Sequence, residues 1–464
     1  MRFLENILVL KSNSKIQSLK FTSMKLSFNK KSMSIGTPTF LWMRAAMPIN
    51  SGAADLSECL QILERVKSND KSWVNEWMNK AKELQGKAEV YLNEGRMIRG
   101  RNAMLRASNY YRTAMIRCPS RSKLADELMT KSRESYIVAL KHINSSVEFV
   151  KIPYGDHVLP AYYYNTGKPN TPTLIGANGG DSTNEEMFNL LGFTAIERGW
   201  NFLVYEGPGQ ATARQLNPGL HLQPNYEMVN GAVVDWLYSR PEVAKDKIAL
   251  FGWSLSSNLV IRAAALDKRI AATISNGLIV DIYEAWYGIW PKWLQKAKPK
   301  HFDFVFHLLE KMSSQVRALT SIFYELLGAN TPTEMIQAWK PFNVSQFAEK
   351  LTCPVLFIAG EAEYAEQSAG PLILSIAKFL KNVKSPAWFH DFGYEDGWSA
   401  SHCQIGAQLA LQELVYDWLD MVLVNPTKLA EQQEKWHDFS KINKYYGKMQ
   451  EVKDIMSELR IRHF

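Results

Sequence analysis

Between residues 147 and 391 the chain presents eight short runs rich in β-branched and aromatic residues: VEFVKI, VLPAYYY, PTLIGA, NFLVYE, KIALFG, AATISN, PVLFIA and PAWFHD. From the third run onward, segments long enough for a helix separate them. Strands joined by helical crossovers pair side by side and parallel, and the helices then cover both faces of the sheet. The first two runs are divided only by the turn signal Gly155–Asp156, which predicts an antiparallel hairpin at one edge. This alternation restricts the fold class to α/β, an eight-stranded mostly parallel sheet.

The flanking sequence has a different period. Trp73, Trp77, Ala81, Leu84 and Ala88 lie on one stripe of a 3.6-residue repeat, and Ala103, Ala107, Tyr110 and Ala114 on a second. The domain plan expected is a basic, disordered leader over 1–46, a helical domain over 47–146, and the sheet-bearing core over 147–425. A helical insertion at 281–350 interrupts the core, and a charged helical tail occupies 426–464. Tyr283, Trp286, Tyr287, Trp290, Trp293, Phe302, Phe304 and Phe306 crowd the insertion, which suits a lid over an apolar pocket or a helical pair packed on the N-terminal helices.

After the fifth run comes GWSLS, with Ser254 between small residues. A strand-to-helix turn of the G-x-S-x-G type exposes a serine hydroxyl and needs small neighbours, because its backbone is strained. Gly252 meets the need, and Ser256 stands where the second glycine is expected. The Leu255 amide would face an oxyanion at the start of the following helix. A base is needed next. His402 follows the eighth run and precedes an apolar helix, the better placed of nine histidines; His390 lies inside a strand run, and His157 and His221 precede the serine. The orienting carboxylate should follow the seventh run, where Glu363 has the more natural reach and Glu361 is the runner-up. The order Ser254, Glu363, His402 has gaps of 109 and 39 residues. The loop after the third run, ANGGDSTNEE, offers the amide of Gly180 or Asp181 as the second oxyanion donor, with Ser182 and Glu185 reading as a capping box.

These pieces resemble α/β-hydrolases with an N-terminal helical domain, typified by 2,6-dihydroxypseudooxynicotine hydrolase and the fungal hydrolases that shorten heptaketide pigment precursors. The likeness runs over about residues 70–420, on WVNEWMNKAKELQGKAEVYLNEG, ASNYYRTAM, GGDSTNEE, VYEGPGQA, VVDWLYSRPEV, GWSLS and SHCQIGA. The resemblance implies cleavage of a carbon–carbon bond beside a carbonyl, or of an ester, in an aromatic or polyketide-like substrate. It also implies a serine triad of Ser254, Glu363 and His402, no cofactor, and a homodimer formed through the helical domain. The chain departs from the family at Ser256 for glycine, Glu363 for aspartate, and YEGPGQA for YDGPGQG. The alternative is a non-hydrolytic protein on the same fold, a ligand-binding or cyclase-like one, with an altered elbow.

Charge weighs against a nucleic-acid partner. Residues 1–46 hold eight Lys or Arg against Glu5, seven of the net eight positive charges, leaving the rest of the chain nearly neutral. The Lys- and Ser-rich arm suggests an organelle transit peptide, although such peptides favour Arg; a disordered leader, or a start at Met33 or Met43, are the other readings. Cys59, Cys118, Cys353 and Cys403 lie far apart, without metal-ligand or disulfide spacing, which fits a reducing, cytoplasmic setting. No uninterrupted apolar run of about 18 residues predicts a membrane span.

Overall fold

The computed structural model describes residues 26–425 except 27, 34, 119–121, 144–145, 278, 289 and 365–369, together with 450–451 and 454–455. Most of the expected tail and the first 25 residues of the expected leader lie outside the described residues. Each of the eight β-runs forms a strand: β1 Ser146–Tyr154, β2 His157–Asn165, β3 Thr171–Ala177, β4 Asn201–Tyr205, β5 Val243–Trp253, β6 Ala272–Asn276, β7 Val355–Gly360 and β8 Ala387–Phe392. They pair in the order β1-β2-β4-β3-β5-β6-β7-β8. β1 and β2 close as a hairpin in which Tyr154 opposes His157, and Gly155 (φ +55°) takes the positive φ that a two-residue turn demands. β2 also meets β4 antiparallel, and β3 to β8 are mutually parallel. The chain runs from β3 outward to β4, then returns across β3 to β5. The reversal opens a crevice at the C-terminal ends of β3 and β5, where open α/β sheets hold their sites.

Alternate side chains of β5 serve two cores. Ala249, Phe251 and Trp253 join the N-terminal helices, whereas Ile248 and Leu250 face the other layer. Helices α1 (Pro38–Ala46), α2 (Leu56–Arg65), α3 (Asp70–Asn93), α4 (Met97–Met115) and α5 (Lys123–Leu140) precede the sheet. The two predicted stripes are buried and belong to α3 and α4, with the Trp77 and Tyr110 rings 5.2 Å apart. Helices α6 (Tyr226–Tyr238) and α7 (Ser256–Leu266) pack on the opposite layer.

One expectation is corrected. The described end of the leader is not disordered: α1 starts with Pro38 behind a Thr37 cap that accepts the Phe40 amide at 3.1 Å, and it buries Phe40, Leu41, Trp42 and Ala45. Arg44 is the one charged residue in α1, so this apolar segment was masked by the lysines counted with it.

The insertion is helical, with α8 (Ile282–Tyr287), α9 (Pro299–Met312), α10 (Ser314–Leu327) and α11 (Pro332–Ala338). Trp290, Phe302 and Phe306 build a small core of their own with Leu294 and Met335, and Trp293 and Phe304 point to solvent. The aromatics therefore serve mainly the insertion itself. Its ties to the rest of the protein include the Arg317–Asp70 ion pair to α3 at 3.0 Å, the Arg214–Glu325 ion pair at 3.0 Å, and the Leu222 amide donating to the Leu326 carbonyl at 2.8 Å.

Candidate active site

β5 runs into a tight turn at Ser254, whose φ of +56° lies in the left-handed region, where a residue with a Cβ is strained by about 1–2 kcal/mol. The turn closes because Gly252 has no side chain. A Cβ there would fall on the Ser256 carbonyl and 2.6 Å from Val260 Cγ2. Ser256, in place of glycine, is fully buried, and its hydroxyl donates to the Asn178 carbonyl. The additional CH₂OH thus finds an acceptor rather than a collision. The Ser254 amide donates to the Asn276 carbonyl at 2.9 Å, holding the turn against β6.

His402 comes from a loop past β8, in a turn where Cys403 and Gln404 also have positive φ. Gly360, at the end of β7, lets this loop come close: a Cβ there would lie 2.6 Å from the Ser401 carbonyl. His402 Nε2 is 2.8 Å from Ser254 Oγ, and Nδ1 contacts Glu363 Oε1. The other Glu363 oxygen accepts the Gly360 amide at 2.8 Å. Glu361 diverges, buried, and accepts the Tyr394 amide at 2.8 Å. The structure therefore brings Ser254, His402 and Glu363 together and leaves Glu361 in the framework. His390 sits on β8 against Phe392, with ring centroids 4.5 Å apart.

Burial opposes a charged imidazole at position 402, but the Glu363 carboxylate at Nδ1 outweighs it and holds the pKa well above the usual histidine value; the Cys403 sulfur lies 3.4 Å from Nε2. Cys403 is itself buried, and burial pushes its thiol up despite His402. It therefore stays protonated near neutral pH.

The loop after β3 lies alongside the turn. A Cβ on Gly179 would sit 3.2 Å from Ser254 Cβ, and one on Gly180 would sit 3.4 Å from Leu255 Cδ2 and 3.3 Å from Phe323 Cε1 of α10. Gly179 thus lies against the serine, and Gly180 lies against Leu255 and an aromatic ring of the insertion. The Ser182–Glu185 capping box is not formed. Thr183 caps the helix Asn184–Met187 by accepting the Glu186 amide, while Ser182 Oγ donates to Asn178 Oδ1 at 3.1 Å. Asp181 is engaged elsewhere: Arg44 of α1 donates to its carboxylate at 2.6 Å.

Glu206, of the VYEGPGQA departure, is buried and accepts the amides of Asn184, Thr212 and Ala213. Burial and neighbouring Glu185 push its carboxyl up to about 8. It ties the start of the Asn184–Met187 helix to the Ala211–Leu216 helix behind the site. Among the described residues, no three of His, Cys, Asp and Glu gather where they could hold a metal ion, and no helix is long and apolar enough to cross a membrane. Sequence reasoning missed Arg44, Cys403 and Asn178. The Thr37–Pro38 start signal ahead of an apolar run could have revealed α1; no local signal marks the other two.

A family model described as "Esterase FrsA-like" matches residues 61–333. Among curated proteins, the Aspergillus aculeatus hydrolase acrC is 27% identical over 417 residues, covering 82% of this chain and 95% of that protein. The α/β hydrolase xenA of Xenoacremonium sinensis is 28% identical over 403 residues, covering 80% and 93%. The crystal structure of 2,6-dihydroxy-pseudo-oxynicotine hydrolase superposes with a TM-score of 0.65 at 19% identity, covering 83% of this chain and 96% of that one, which shows a shared fold.

Proposed function

Because the chain belongs to the FrsA-like esterase family, and so is an α/β-hydrolase, we propose that it cleaves a carbon–carbon bond beside a carbonyl, or an ester, through a Ser254–His402–Glu363 triad and an acyl-enzyme. The observation that carries this reading is the 2.8 Å contact between His402 Nε2 and the hydroxyl of Ser254, a serine held at φ +56°. His402 takes the hydroxyl proton as Oγ attacks the carbonyl carbon, and Glu363 holds Nδ1 so that the free lone pair of Nε2 faces the serine. The carbonyl oxygen becomes an oxyanion facing the Leu255 amide and that of Gly180 or Asp181. Collapse expels an alkoxide, or a carbanion delocalised into its own carbonyl or ring, and His402 returns the proton to it. Water, deprotonated by the same imidazole, then releases the acid. Phe323 over Gly180, with the Trp286 ring 4.9 Å and the Trp339 ring 5.4 Å from it, supports an aromatic or polyketide-like substrate.

The test is intact-mass detection of a fluorophosphonate adduct. Wild type should gain one phosphonyl group, and Ser254→Ala none. A folded wild type that takes no label would favour the non-hydrolytic reading.

A further inference from the structure

A balanced, largely buried set of charges, in which Asp181 itself is half-buried, ties the proposed oxyanion loop to α1. Arg44, from α1, is 5% exposed. Its Nη1 meets Asp181 Oδ2 at 2.6 Å and its Nη2 reaches the Asp181 carbonyl at 3.4 Å. On its other edge, Nε and Nη2 grip both oxygens of Glu186 at 2.6 and 2.7 Å. The guanidinium also lies 5.8 Å from the ring centroid of Trp253, the residue before the serine. One side chain thus links the loop after β3 to the end of β5, the two segments carrying the candidate oxyanion amides. Arg112 of α4 meets Glu186 at 3.1 Å as well, so Glu186 has a second cation and Asp181 relies chiefly on Arg44.

We propose that Arg44 is a positioning residue: by neutralising Asp181 it keeps the oxyanion loop in place and prevents a free negative charge from facing His402 and the developing oxyanion. The inference rests on the serine-hydrolase reading above. Burial would raise the Asp181 carboxyl, but Arg44 outweighs it and holds the group ionised, within electrostatic reach of Arg112 and His402. The other groups facing His402 are Glu363 and Cys403. With Arg44 gone, the Asp181 charge would stabilise the imidazolium, and His402 would need a higher pH to act as a base.

The experiment follows the rate of fluorophosphonate labelling from pH 5 to 9, in which Oγ–P forms, P–F breaks, fluoride leaves and His402 takes the serine proton. In Arg44→Met the acid limb should move up by about one pH unit, so that labelling at pH 6 slows about tenfold. Asp181→Asn alone should move the limb to lower pH, and Arg44→Met with Asp181→Asn should return it to the wild-type position. Slowing by the same factor at every pH, with no rescue by Asp181→Asn, would mean a merely structural Arg44 and overturns the inference. Should Arg44→Met not fold, Asp181→Asn carries the test, and an unmoved limb overturns the inference. A folded wild type that takes no label overturns the hydrolase reading, and this inference with it.

Discussion

Exchanging Glu363 for glutamine makes a sharp test of which acid orients His402. Both oxygens of Glu363 face N–H groups, His402 Nδ1 on one side and the Gly360 amide, at 2.8 Å, on the other. A glutamine has one oxygen for two donors. If that oxygen stays with Gly360, the NH₂ faces Nδ1, which must then be unprotonated. The ring proton moves to Nε2, and the imidazole can no longer accept from Ser254. If the oxygen goes to His402, two donors meet at Gly360, with a cost of about 1–3 kcal/mol in stability. In either pose the charge that stabilises the imidazolium is lost. A charge-assisted hydrogen bond is worth about 1.5–3 kcal/mol, which is about 10- to 150-fold in rate. The tautomer change takes the loss toward about 10⁴, as in the orienting aspartate of serine proteases. Fluorophosphonate labelling rates at pH 8, with melting temperatures alongside, would measure this. Glu361→Gln is the control: Glu361 accepts the Tyr394 amide and does not reach His402, so stability should fall while labelling stays within about threefold. The reasoning fails if Glu363→Gln labels like wild type, or if Glu361→Gln alone loses reactivity.

Further outcomes follow from the same geometry. Gly252→Ala drives a methyl into the Ser256 carbonyl and Val260, and should cost about 3 kcal/mol or more in melting experiments and abolish labelling. Ser256→Gly removes a hydroxyl donor, but Asn178 O still accepts Gln210 Nε2 at 2.7 Å; labelling should persist, with a loss of about 1–2 kcal/mol. The pKa of His402, raised above the usual value of about 6.5, places the acid limb of labelling above that pH. The stability gained from the raised pKa runs the opposite way: it is fully present below about pH 6.5 and lost as pH climbs through the folded value.

What residue order determines here is local. Each strand run declares itself by β-branched and aromatic content, and the α3 and α4 stripes by a 3.6-residue period, because both signals depend on neighbours a few positions apart. The elbow is legible for the same reason: Gly252 and Ser254 lie within one turn. Even the choice of Glu363 over Glu361 needed only reach along a single loop. The grouping of the other partners was settled by strand order. Arg44 and Asp181, 137 residues apart, meet because α1 packs where β3 ends. Asn178 and Ser256 meet because β3 and β5 are neighbours although β4 intervenes in the chain. Phe323, rather than the aromatics that stood out in the insertion, covers Gly180 because the C-terminal end of α10, which carries it, is anchored at Leu326 to Leu222. Side-chain partners across a sheet edge depend on which strand ends lie side by side, and no short-range pattern of residues carries that information.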